Sequence, residues 1–326
     1  MPAAEPAVDL SAFPAIDATR QDCITDEQAA FFKANGLLLI RNLLNADELR
    51  AMREQTLPLV QRAVKKDPAD PDLRDFRYMT HQVTGREVPF RVEYVIDKTA
   101  AGKALLGHPF ILRSIEKVQG PSFIPTWDSM VFKLEGQGAE IAWHRDAGLA
   151  EGYAPDGSQA VNVDFYLDGS DLTNCLWGIL GSNLWPGAQA NAKVKQLNDR
   201  QPGEPFKTDG AAPIPVNPGD VLFHSILALH GSPPAQSKLR RVVYYEFRPA
   251  PVEAAHGPHA PHYITLKQRL LQSCLHLRAQ APYARGETPF NYRPQPPFTP
   301  APFDPARDTP PTYRYAHEDY WRDGTR

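Results

Sequence analysis

Residues 129–135, 140–144, 160–167, 221–224 and 241–247 are short runs carrying β-branched and aromatic side chains. Turns bearing Gly, Asp and Pro separate them, and no long helical pattern lies between most of them. A doubly wound parallel sheet needs a crossover helix after nearly every strand, so this spacing excludes it. The pattern predicts a mainly β core, a sandwich, barrel or jelly roll, with helical additions.

The helical additions announce their own ends. Thr25 followed by Gln28 is a capping box, opening a helix that stops at Asn35-Gly36, and residues 37–41 then read as a strand. Asn45 with Glu48 repeats the signature for a second helix, with an apolar stripe from Leu49, Met52 and Leu57 and an expected kink or break at Pro58. Past the last strand, residues 264–279 put Leu266, Leu270, Cys274 and Leu277 on one helical face. Residues 186–218 are polar and rich in Pro and Gly, and read as a long loop or lid. Residues 282–311 mix prolines with Tyr283, Phe290, Tyr292 and Phe298, and read as an extended segment wrapped on the core. Residues 1–24 then form an N-terminal arm, 25–280 one domain, and 281–326 a Pro- and aromatic-rich C-terminal extension packed on it.

Composition narrows the partners. With 326 residues, 42% hydrophobic and 22% charged, the chain can bury a sizeable core. No apolar run approaches the roughly 20 residues that span a bilayer. Thirty-five basic against 38 acidic residues leave a net charge of -3, so no basic field draws nucleic acid or an anionic membrane. A small-molecule partner is expected, and no sequence feature specifies an oligomer. Cys23, Cys175 and Cys274 are few and scattered, the first residues lack a signal-peptide core, and residues 324–326 are not a peroxisomal tail. The expectation is a reducing cytoplasmic setting without disulfides.

The chemistry concentrates in the β-rich middle. In Trp143-His144-Arg145-Asp146 the alternation of a strand turns His144 and Asp146 to one face and Arg145 to the other. His230, in Leu229-His230-Gly231-Ser232, follows a strand-like run and offers a third ligand. Two imidazoles and a carboxylate on one face of an octahedron leave three positions open, the arrangement of a non-haem Fe(II) oxygenase. Arg241, opening the last run, could hold a carboxylate bidentately, with Arg240 as the fallback.

These pieces together resemble the phytanoyl-CoA dioxygenase (PhyH-like) family of Fe(II)/2-oxoglutarate-dependent oxygenases. The resemblance covers roughly residues 26–249. It rests on residues 32–42, Leu106-Gly107-His108-Pro109, Lys133, the His144-Arg145-Asp146 motif, Pro218-Gly219-Asp220, His230-Gly231-Ser232 and Arg241. It implies a double-stranded β-helix (jelly roll, cupin-like) core. His144, Asp146 and His230 would be the iron ligands, and Arg241 would pair with the distal carboxylate of 2-oxoglutarate, with Ser232 a further contact or a turn residue. Iron(II), 2-oxoglutarate as co-substrate and O2 are implied, with hydroxylation of an unactivated C–H bond of a small metabolite or natural-product intermediate and release of succinate and CO2. The retained carboxylate of Asp146 favours hydroxylation over halogenation, while desaturation, ring closure and epimerisation stay open. The loop 174–183 departs from the family pattern, with Cys175, Leu180 and Asn183 in place of Gly, Pro and His.

Plainer readings stand beside these. A facial-triad enzyme without 2-oxoglutarate would leave Arg241 structural, and a noncatalytic metabolite-binding jelly roll would need no open metal positions. His224 reads as a core histidine or one supporting the ligands, Arg91 as surface or ion-paired rather than substrate-binding, and Tyr244 and Tyr245 as core or pocket wall. Cys175 reads as packing, because no His or Asp partner pattern accompanies it.

Overall fold

The computed structural model describes residues 15–146, 160–201, 203–235 and 238–308. In chain order its strands are β1 (Ala15–Asp17), β2 (Leu37–Arg41), β3 (Phe76–Thr80), β4 (Glu87–Glu93), β5 (Phe123–Lys133), β6 (Ile141–His144), β7 (Val161–Tyr166), β8 (Leu176–Gly178), β9 (Ala212–Ile214), β10 (Val221–Ser225), β11 (His230–Ser232) and β12 (Arg240–Pro249). The helices are α1 (Asp26–Asn35), α2 (Ala46–Lys65), α3 (Val95–Lys98), α4 (Ala100–Leu106), α5 (Pro109–Gln119), α6 (Gly187–Asn198), α7 (Ala250–His256), α8 (His262–Gln280) and α9 (Pro305–Asp308).

Eight strands form one sheet in the order β1-β2-β10-β7-β12-β5-β4-β3, and four form a second in the order β6-β11-β8-β9. Apart from the parallel β1–β2 pair, the ladders are antiparallel, and the two sheets make a jelly-roll core. Strand alternation sorts the core into two layers. On β2, Leu38 and Ile40 join the large cluster shared with α1, α2, α5 and α8, whereas Leu37 and Leu39 pack with Tyr166, Leu176, Ile214 and Val242 between the sheets. β2 therefore reads as an unbroken apolar run because both its faces are covered.

Local signals act as their chemistry requires. Thr25 and Gln28 make both halves of the capping box, and Gly36 ends α1 at φ 75°, a left-handed conformation that glycine adopts without strain. A Cβ there would also strike the Asn183 side chain at 2.7 Å.

Several expectations change. Pro58 lies inside α2 without dividing it, and the buried stripe runs Met52, Thr56, Leu59, Val60 and Ala63 while Leu57 is 41% exposed. The segment 186–218 is not a bare loop. It folds α6, whose alanines favour helix once Pro186 has started it, and β9; Ala190 and Leu197 pack with Trp143, Ile179 and Leu229. Ala15–Asp17, placed in the arm, pairs with β2 as an edge strand. The C-terminal segment lies on the core as far as it is described: Phe290 and Tyr292 pack on Phe123, whose carbonyl accepts from the Tyr292 hydroxyl at 2.5 Å. The stretches 1–14, 147–159 and 309–326 lie outside the described residues. No helix among the described residues is long and apolar enough to cross a membrane.

Candidate metal centre and its cavity

The three ligand candidates meet through one ladder. β6 pairs with β11 in the register His230↔His144, which sets the two imidazoles side by side with ring centroids 4.3 Å apart. Asp146 follows just past the end of β6, and its Oδ1 lies 3.3 Å from His144 Nε2 and 3.8 Å from His230 Nε2. One donor atom from each residue falls within 4.8 Å of the other two. The Nδ1 atoms of His144 and His230 lie 2.8 and 3.0 Å from the carbonyl oxygens of Ala142 and Ala228. A carbonyl only accepts, so each Nδ1 carries a proton, and Nε2 is the ring atom turned toward Asp146.

His224 arrives from the other sheet. β10 ends at Ser225, and a turn closed by the Ala228 N–H donating to Ser225 O at 2.9 Å carries the chain across to β11. His224 and His230 therefore approach Asp146 from different sides. His224 is 1% exposed and bridges two carboxylates, with Nε2 2.8 Å from Asp146 Oδ2 and Nδ1 2.7 Å from Asp164 Oδ2. Asn162 Nδ2 also donates to Asp146 Oδ2, at 2.7 Å. That oxygen is occupied by protein donors, and Oδ1 is the one turned to both imidazoles.

The titrations follow from this crowding. Burial opposes charge on His224, but Asp164 and Asp146 together outweigh it and raise its pKa to about 10. Burial and then the neighbouring His144 push His230 down to about 3, so it is neutral, the form that donates a lone pair. Burial works to raise Asp146, yet His230, His144 and His224 hold it well below the usual carboxylate range.

The cluster opens on a cavity of about 270 Å³ between the sheets. Arg240, on the inward face of β12, lines it together with Ser232. Lys133, paired with Arg240 across β5 and β12, is 2% exposed. Neither cation has an acid partner among the described residues: Arg240 donates to Asn174 O, and Lys133 to the carbonyls of Ser232 and Pro233. Burial, then the charge of Arg240, drives Lys133 well below its ordinary pKa. Arg240 Nε and Ser232 Oγ are buried without a hydrogen-bond partner.

Arg241, favoured from spacing as the co-substrate arginine, does not reach this cavity. It faces the helices, pairing with Asp168 through Nε at 2.8 Å and Nη2 at 3.0 Å, and donating through Nη1 to Arg53 O and to Thr56 Oγ1 on α2. The physical reason is alternation: Tyr244 and Glu246 share the inward parity with Arg240, while Val243 and Tyr245 share the outward parity with Arg241. The remaining candidates separate in the same way. Tyr244 is pocket wall, and Tyr245 is core, its hydroxyl donating to Gly102 O at 2.6 Å. Cys175 is buried, and burial pushes its thiol up to about 11, which suits packing rather than nucleophilic attack. Arg91 lines the cavity. Lys133 and Asn162 received no role from sequence reasoning; the signal that could have found Lys133 was a lysine at inward parity in an apolar strand.

Comparison with known proteins places this geometry. The family model described as Phytanoyl-CoA dioxygenase (PhyH) matches residues 32–243, and the chain belongs to that family of Fe(II)/2-oxoglutarate-dependent oxygenases. No curated protein matches the chain in sequence. Among solved structures it is similar to EvdMO1, at 23% identity and TM-score 0.53, over 68% of this chain and 49% of that one. The chain thus spans about half the length of EvdMO1. It is similar to the non-heme alpha ketoglutarate dependent carbocyclase SnoK from nogalamycin biosynthesis, at 15% identity and TM-score 0.53, over 70% of this chain and 85% of that one. It is also similar to EctD from S. alaskensis with bound Fe, at 16% identity and TM-score 0.54, over 70% of this chain and 78% of that one. At these identities the likeness is one of fold.

Proposed function

We propose that the protein is an Fe(II)- and 2-oxoglutarate-dependent dioxygenase that hydroxylates an unactivated C–H bond of a small metabolite or natural-product intermediate, releasing succinate and CO2. The observation that carries this reading is the His144–Asp146–His230 cluster sharing one cavity with Arg240, behind which Lys133 is buried, neither cation with an acid partner among the described residues. Uncompensated buried charge costs several kcal/mol, and burial beside Arg240 already presses Lys133 toward its neutral form, so a chain that keeps the two side by side is built around an anion. A facial-triad enzyme without a dianionic co-substrate has no use for them.

The donor set fits the metal. Two imidazoles presenting Nε2 and one carboxylate presenting Oδ1 suit a divalent first-row cation and leave an open face. When bound, iron supplies the activation of dioxygen coupled to decarboxylation of the 2-oxo acid. The protein's own residues do the rest. Ala142 O and Ala228 O fix the imidazole tautomers, and His224 with Asn162 holds Asp146 so that one oxygen faces the ligand set. Arg240 binds the distal carboxylate of 2-oxoglutarate, with Ser232 Oγ as a donor to it. Lys133, donating to the carbonyls of Ser232 and Pro233, adds charge from behind. The walls of Leu176, Ile141 and Val131 keep water from the reacting atoms.

The test is an anaerobic titration with Fe(II) and then 2-oxoglutarate, read by the visible metal-to-ligand charge-transfer band. The band is expected in the wild type, absent in His144→Ala, and shifted to much higher 2-oxoglutarate in Arg240→Ala. Iron binding with no band on adding 2-oxoglutarate would sink the co-substrate assignment, and failure to bind iron would sink the whole reading.

A further inference from the structure

The outer half of the cavity carries a charge pattern that neither the metal cluster nor the Arg240 end uses. Its wall is built by β4, β5 and β12, whose registers put Arg91 opposite Val131, and Trp127 opposite Glu246. Phe90, Arg91, Trp127, Tyr244 and Glu246 all line the same cavity as His144, Asp146 and His230.

Around Arg91 there is one positive charge too many. The buried carboxylate of Glu93 faces two guanidinium groups, Arg91 Nε at 3.4 Å and Arg77 Nε at 3.6 Å, and it also accepts from Trp127 Nε1 at 3.1 Å. Burial pushes Glu93 up from the usual carboxylate range, so even its single charge is held at a cost. Arg91 makes no hydrogen bond among the described residues, and its Nε is buried without one. A guanidinium presents five donors in a planar fork, so its free edge is an unfilled site for a carboxylate.

Glu246 brings a carboxylate to the same wall and shares its cation. Arg248 divides itself between two carboxylates, donating from Nε to Glu246 Oε1 at 2.8 Å and approaching Glu253 Oε2 with Nη1 at 3.4 Å. Glu246 Oε1 also accepts from the Thr126 hydroxyl at 2.6 Å. Both bonds fall on Oε1, and the Glu246 side chain lines the cavity. Trp127 and Phe90 supply flat apolar surface beside these two groups.

We propose that this outer half binds a small zwitterion, an amino acid or an amino-acid-like compound, with its carboxylate on Arg91, its ammonium on Glu246 and its apolar part against Phe90 and Trp127. This assignment names the substrate class of the oxygenase and rests on the iron and 2-oxoglutarate reading above. A guanidinium and a carboxylate on one cavity wall make the site dipolar. A neutral lipid or a simple dicarboxylate satisfies at most one of them, and an unmatched buried charge penalises each.

The test is anaerobic calorimetry on the full chain loaded with Fe(II) and 2-oxoglutarate, so that nothing turns over. The titrants are the common L-amino acids, each beside its methyl ester and its N-acetyl derivative, which delete one charge apiece. At least one free amino acid is expected to bind, with ester and N-acetyl forms weaker by about tenfold or more. Arg91→Gln is expected to lose discrimination against the ester alone, Glu246→Gln against the N-acetyl form alone, and Arg91→Lys to restore part of the first. Binding by no free amino acid, equal binding by the blocked forms, or variants that discriminate like the wild type would each overturn the proposal. The charge-transfer band separates the two layers. A normal band in wild type and both variants with no zwitterion binding removes the substrate class alone. A missing band in the wild type removes the reading beneath it.

Discussion

Arg240 and Arg241 are neighbours on one strand, and their surroundings are opposite. Arg241 is an outward residue with every demand met: a two-point pair with Asp168, a backbone carbonyl and a hydroxyl from α2. Arg240 is an inward residue with one carbonyl partner, an orphaned Nε and a buried lysine beside it. The same division runs through the large sheet. Its outer face carries Val161, Val163, Phe165, Val243 and Phe247 against the helices, and its inner face carries Asn162, Asp164, Tyr244 and Glu246. Satisfied polar groups mark the part of a protein that holds itself up. Buried unsatisfied ones mark the part kept for something else.

That contrast can be broken in order of effect. Asp146→Ala removes a ligand and leaves His224 without one of its two carboxylates, and is expected to weaken Fe(II) binding by well over about a hundredfold, since even supporting residues cost about ten- to a hundredfold; equilibrium dialysis against Fe(II) measures it. Arg240→Ala removes the charge proposed to meet the co-substrate, and the 2-oxoglutarate needed for half-formation of the charge-transfer band is expected to rise by about thirtyfold or more, as loss of one partner from a buried charge pair costs about 2–5 kcal/mol. His224→Gln keeps a donor toward Asp146 but loses the bridge to Asp164, so Fe(II) affinity is expected to fall by about tenfold, toward the low end for such supports. Arg241→Ala is the sharpening control. Denaturant unfolding is expected to show a loss of about 1–3 kcal/mol, because Asp168 keeps only the longer 3.4 Å pair with Arg53, while the 2-oxoglutarate titration stays at the wild-type midpoint. An Arg241 variant that shifted that midpoint as far as Arg240→Ala would erase the distinction between the two faces.

Much of this was readable from residue order alone. The strand runs, the capping box at Thr25 and the shared face of His144 and Asp146 come from local patterns, which a sequence carries directly, while His230 joined them through the family resemblance. The choice between Arg240 and Arg241 was not local. It depends on which face of β12 turns inward, and spacing from His230 passes through a connection between two sheets, where alternation does not count. His224 shows the same limit: parity along an apparent strand puts it with His230, but the turn after Ser225 moves His230 to the other sheet, and only then do both reach Asp146. The stripe of α2 shifted off Leu57 for a related reason, since the helix packs by its full-length docking face and not by its first apolar residues. Arg91 read as ion-paired, and the structure does put it near Glu93; what the sequence hides is that Arg77 shares the same carboxylate.

The order of the strands also sets a timetable. β2, near the start, takes β10 as its antiparallel neighbour, and β6 takes β11, so neither can settle until the later strand has left the ribosome. Contacts this distant in sequence make folding slow and leave apolar strands waiting in the meantime. Leu37–Ile40, buried on both faces at the end, is an exposed apolar stretch for most of synthesis. The His230↔His144 register is among the last to close, so the ligand set does not exist on the nascent chain.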